Sequence, residues 1–121
     1  MSTDRRAPLV DEYSFGAIRV RGKTFSGDLV IVRDAISEWW REESHLVSAA
    51  DIAPILAQGP QVLVIGTGHG GRMSVAADAA RLCEEKGVEL IVQPTAQAAT
   101  LYNAIVLEGK RSVAGAFHIT C

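Results

Sequence analysis

The chain is poor in the residues that announce chemistry. Among its 121 residues there are two cysteines, Cys83 and Cys121, too few for a disulfide framework. Neither lies in a CxxC pair, and His45, His69 and His118 are too scattered for HExxH or a similar spacing, so no metal site is expected. Charge of one sign is lacking as well. The 12 basic residues against 14 acidic ones leave a net charge of −2, which offers no general attraction to nucleic acid or anionic membrane. Apolar runs stop at about five residues, where a membrane-spanning helix needs ~20. The first residues, Met1 to Asp11, contain no apolar signal-peptide core. These absences point to a soluble, cytoplasmic protein in a reducing compartment.

What is present is an ordinary globular composition, 48% hydrophobic and 21% charged, which excludes a disordered tail, a coiled coil or a collagen-like repeat. The length suits one domain with its own core. Residues 1–10 read as a frayed terminus and 11–121 as a single α/β domain. From Tyr13 to Trp40 the sequence favours short strands. Ala17 to Arg21 alternates apolar and basic residues, Leu29 to Val32 is a β-branched run, and Ala35 to Arg41 reads as a further strand carrying Trp39 and Trp40. This third is expected to form an antiparallel β meander.

The remainder follows a βαβαβ order. Ser48-Ala49-Ala50-Asp51 resembles a capping box before a short helix, with Pro54 limiting its length. Val62 to Ile65 is a continuous apolar run suited to a strand covered on both faces. A helix is expected over Ser74 to Lys86, a strand over Val88 to Val92, a helix capped by Thr95 and running to Leu107, and a last strand over Ser112 to Ile119. Right-handed crossovers then give a short parallel core of three strands with helices packed on it.

Gly66-Thr67-Gly68-His69-Gly70-Gly71 matches GxGxxG between a strand and an expected helix. Backbone N–H groups of such a turn can hold a phosphate at a helix N-terminus, and Arg72 would add a positive charge. The dinucleotide version also needs an acidic residue at the end of the next strand, where Val92-Gln93-Pro94 stands, and more strands than follow here. No Walker Lys-Ser/Thr follows either. Two readings of the turn remain: a tight packing turn, or a site for a small anionic ligand. At the carboxyl ends of the parallel strands Thr95 can cap a helix or contact a ligand, and His118 can act as a base or sit satisfied in the interior. His45 reads as a solvated loop residue and Asn103 as a mid-helix hydrogen-bonding group.

Several segments in register carry a resemblance. They are Tyr13-Ser14-Phe15-Gly16-Ala17-Ile18, Gly22-Lys23-Thr24-Phe25, Trp40-Arg41 with His45 beyond, and Val64-Ile65-Gly66-Thr67-Gly68. Pro94-Thr95, Ala99-Thr100-Leu101-Tyr102-Asn103 and Ala116-Phe117-His118-Ile119-Thr120-Cys121 continue the series. Over Pro8 to Cys121 the chain resembles a small α/β family of unknown function, the Mth-type domain. That family includes mitochondrial complex I assembly factor 3 and an adipogenesis-associated cytosolic protein. The resemblance implies one α/β domain and no established enzymatic activity; no cofactor is expected. It points to Gly66, Thr67, Gly68, Thr95, Asn103 and His118 around one pocket. With His69, Gly70 and Arg72 these are the candidate ligand-binding residues. The expected function is a non-enzymatic interaction or assembly factor, with a protein partner tied to membrane respiratory-complex assembly and a possible homo-oligomer. The alternative is a binding domain or enzyme for a small anionic metabolite that uses the Gly66–Gly71 turn.

Overall fold

A computed structural model describes residues 7–121. Val10–Ser14 (β1), Ala17–Val20 (β2) and Lys23–Phe25 (β3) form a three-stranded antiparallel meander. Leu29–Val32 (β4) and Ala35–Glu38 (β5) form a hairpin that leaves the meander and joins the main sheet. The expected single meander is therefore divided between two sheets. Trp39 and Trp40 lie just past β5 instead of within a strand. The expected frayed stretch over residues 1–10 falls partly outside the described residues. Within it Pro8 and Val10 are buried, and the Pro8 carbonyl accepts the Tyr102 hydroxyl at 2.8 Å.

Leu46–Val47 (β6) and Ala49–Leu56 (α1) precede the central strand Val62–Thr67 (β7). Ser74–Val75 (β8), Ala77–Glu85 (α2), Glu89–Gln93 (β9), Thr95–Glu108 (α3) and Val113–His118 (β10) complete the chain. The main sheet runs β5-β4-β10-β7-β9, with β10, β7 and β9 parallel and the β4–β5 hairpin antiparallel at the β10 edge. Short βαβ crossovers force this parallel pairing, as the strand–helix alternation implied. The fold is α/β, with the three-strand parallel core and the N-terminal antiparallel portion read from the sequence.

Alternation along the strands divides the interior into two layers. Val62 and Val64 of β7 and Phe117 of β10 face α3 and the meander, where Tyr102 meets Phe117 edge-on at 5.6 Å. Leu63, Ile65, Ala114 and Ala116 face α1 and α2. Each of the valine, leucine and isoleucine side chains contributes roughly 1.5–3 kcal/mol by leaving water. Gly115 is small for a packing reason: a Cβ there would stand 2.6 Å from the Phe117 ring. Burial also raises the Tyr102 hydroxyl pKa, keeping it a neutral donor. Asn103 bonds both backbone groups of Val10, receiving N–H at 2.8 Å and donating to C=O at 2.9 Å, and so clamps β1 to α3.

Two local expectations are corrected. The helix expected from Ser74 starts at Ala77, because Ser74 and Val75 instead pair with Leu46 and Val47 as β8 against β6. Thr95 does not cap α3: Pro94 is the cap residue and Thr95 is the first helical residue, its hydroxyl turned to other partners. Asp51 does make its half of the expected capping box, accepting the Ser48 N–H at 2.8 Å.

Candidate functional site

The glycine turn leaves β7 at the centre of the parallel strands, where ligands collect in open α/β sheets. Here protein groups occupy that position. Thr67 donates its hydroxyl to the Gln93 carbonyl at 3.2 Å, joining the ends of β7 and β9. Thr95 Oγ1 accepts the Gly68 N–H at 2.9 Å and donates to the His118 carbonyl, joining the turn to β10. The His69 N–H donates to the Thr120 carbonyl at 3.2 Å, and that of Gly71 to Gly68 at 3.3 Å.

The glycines are required by close approach. A Cβ on Gly66 would stand 2.7 Å from Thr95 Oγ1. A Cβ on Gly68, whose φ is +107°, would overlap the Thr120 carbonyl oxygen and lie 3.0 Å from the His118 ring. Gly70 faces the Cys121 carbonyl, 3.2 Å from an added Cβ. Because β8 follows the turn, these N–H groups do not open a helix and no helix dipole is aimed at them.

The turn instead positions two segments around His118. Residues 119–121 pass against Gly68 to Gly70, while Ile119 receives the Gly16 N–H at 2.8 Å and the Tyr13 hydroxyl at 3.1 Å. On the other side, the Ser74 N–H bonds the His45 carbonyl at 3.0 Å and the Ala76 N–H bonds Val47 at 2.8 Å, docking β6. Through these contacts His45, His118 and Cys121, remote in sequence, are brought together. His45 Nε2 lies 3.1 Å from Cys121 Sγ, and the His45 and His118 rings meet edge to face at 5.9 Å.

Asp28, at the entry to β4, anchors the cluster from the hairpin. Its Oδ2 lies 2.8 Å from both His118 Nδ1 and Arg41 Nη2, and its Oδ1 accepts the Ile119 N–H at 2.9 Å. The Nδ1–Asp28 bond selects the tautomer that carries its proton on Nδ1 and leaves Nε2 with a lone pair. Arg41 donates to the Ser44 carbonyl at 3.0 Å and lies 4.6 Å above the Trp39 ring, with only 4% of its side chain exposed. Asp51 supports this loop, its carbonyl accepting Trp39 Nε1 at 3.2 Å. Burial pushes Asp28 up, but hydrogen bonds from His118, the Ile119 N–H and Arg41 outweigh it and hold the carboxyl below its ordinary pKa. The Tyr13 hydroxyl is raised, by burial first and by the Asp28 charge second.

Of the residues singled out by sequence, Gly66, Thr67, Gly68, Gly70 and Thr95 build the scaffold under His118. His69 sits on the rim against Tyr13 and Phe15, its ring 5.6 Å from Phe15. Arg72 is exposed, and Asn103 is spent on β1. Sequence reasoning missed Asp28, which reads as a turn residue. His45, in turn, reads from sequence as a solvated loop residue. The signals for these residues are two segments that carry the family resemblance, Trp40-Arg41 with His45 beyond and the stretch Ala116 to Cys121.

The profile of a family described as "Protein of unknown function (DUF498/DUF598)" matches residues 10–118, and the chain belongs to that family. A conserved hypothetical protein from Pyrococcus horikoshii shares its fold with TM-score 0.84 and 28% identity, over 93% of this chain and 98% of that one. A protein from Bartonella henselae, described as an outer membrane protein, superposes with TM-score 0.79 and 23% identity over 96% and 97% of the two chains. A Mth938-like domain from Bordetella pertussis gives 0.64 and 22% over 93% and 85%. In this chain, no helix among the described residues is long and apolar enough to cross a membrane.

Proposed function

We propose that the chain is a non-enzymatic interaction protein, an assembly factor of the kind its resemblance to complex I assembly factor 3 implies, acting from the cytoplasm on membrane respiratory subunits. The observation that supports this is Trp40, an aromatic side chain 76% exposed. Its neighbour Trp39 is consumed by the interior and by Arg41, so the pair divides into one structural and one presented indole. Trp40 stands at the rim of an open cleft of about 530 Å³ between the β4–β5 hairpin and α1, with Val30, Val32, Pro54 and Ile55 in its walls. Exposed tryptophan beside an apolar cleft is the composition of a protein-binding hot spot. The anion reading of the glycine turn has less support, since the N–H groups of Gly68, His69 and Gly71 already have acceptors in the chain.

Affinity purification from the native host tests the reading. Respiratory or membrane-assembly subunits are expected with the wild-type chain and are expected to be lost with Trp40→Ala. Recovery of none above background, or equal recovery with Trp40→Ala, rejects it.

A further inference from the structure

We propose that His45, His118 and Cys121 form a zinc-binding site. One potential ligand atom from each residue lies within 4.8 Å of the other two. Ligands around tetrahedral Zn²⁺, bound at ~2.0–2.1 Å by nitrogen and ~2.3 Å by sulfur, sit roughly 3.3–3.8 Å apart. The 3.1 Å between His45 Nε2 and Cys121 Sγ therefore opens slightly, and the wider separations close by about 1 Å through side-chain rotation.

The second observation concerns His118. Its side chain is 6% exposed, and Nε2 is buried with no hydrogen-bond partner among the described residues. A buried nitrogen without a partner carries a desolvation cost that a bound cation would remove. Nδ1 donates to Asp28, so Nε2 presents its lone pair to any bound cation. This is the carboxylate–histidine arrangement that orients metal-binding imidazoles and raises their basicity. Asp28 is in turn fixed by Arg41 and the Ile119 N–H, which makes it a positioning residue.

The donor set selects the metal. One thiolate and two imidazoles suit zinc, whereas calcium and magnesium require oxygen ligands. Binding displaces the thiol proton of Cys121 to solvent and leaves the zinc with three protein ligands. His45 is exposed and Cys121 half-buried, so the fourth position opens to water. The three ligands come from the β6 approach and the end of β10, which explains why no metal spacing appears in the sequence. The site is independent of the Trp40 cleft.

The test uses the full chain stripped with chelator and titrated with Zn²⁺ alone against a chromophoric competitor. One equivalent is expected to bind. Cys121→Ser, His118→Gln and His45→Gln are each expected to weaken affinity at least ~10-fold, and Asp28→Asn ~10-fold through His118. Cys83, buried on α2, serves as the control: Cys83→Ser is expected to bind as the wild type does. Cobalt substitution is expected to show a sulfur-to-metal charge-transfer band that persists in Cys83→Ser and vanishes in Cys121→Ser. His45 is exposed, so His45→Gln should retain the wild-type melting temperature even where His118→Gln unfolds. Unchanged zinc affinity in His45→Gln, failure to bind an equivalent of zinc, or a cobalt spectrum without the sulfur band overturns the assignment.

Discussion

The glycine turn and the Asp28 cluster lie against each other and differ in almost every respect. The turn carries the conspicuous motif, yet the N–H groups of Gly68, His69 and Gly71 bond to Thr95, Thr120 and the turn itself. The cluster has no motif, yet it gathers an aspartate, an arginine, two histidines and a thiol from three separated segments. Small residues in the turn permit backbone contact, and that contact holds chemically active side chains in place nearby. The motif letters mark scaffold, and the chemistry lies where the scaffold delivers it.

The sharpest way to break this comparison is to put a side chain into the turn. Gly68→Ala combines a positive φ with overlap at the Thr120 carbonyl and is expected to cost about 3 kcal/mol in urea unfolding. A loss below about 1 kcal/mol would show that the turn is not clamped on residues 119–121.

A smaller effect is expected from the cluster. Asp28→Asn in metal-free protein exchanges charged hydrogen bonds for neutral ones and is expected to cost about 1–2 kcal/mol at neutral pH. The pH dependence distinguishes the charge from shape. Because the folded carboxyl is held below its ordinary pKa, its contribution is present above about pH 4 and lost as pH falls through the folded value. His118, Arg41 and Tyr13 are the ionisable groups that face it. Melting curves should therefore fall more steeply with acid in the wild type than in Asp28→Asn, and parallel curves would contradict the assignment. The smallest change is expected from Arg72→Ala, within about 0.5 kcal/mol, with no loss of stabilisation by phosphate or carboxylate in a thermal-shift screen. An anion-dependent shift that disappears in Arg72→Ala would return the ligand to the turn.

Much of the fold was legible because it depends on local pattern. The Val62–Ile65 run, the helical spacing before Gly87 and Gly109 and the alternation in Ala17–Arg21 each report an environment through neighbouring residues. The failures share a cause. Ser74 and Val75 left their expected helix to pair with Leu46 and Val47, a contact across 28 positions. Thr95 offered a cap by composition and a bridge by tertiary placement, and the bridge prevailed because Gly68 and His118 are buried within its reach.

The sequence by itself determined the α/β class, the two-faced burial of the β7 strand and a tight glycine turn after it, since hydrophobic periodicity and missing side chains act locally. Only the tertiary structure decided what that turn serves. The partners of His118 stand at positions 28, 41, 45 and 121, and no spacing rule connects residues that meet only after the sheet, the hairpin and the β6–β8 pair have formed.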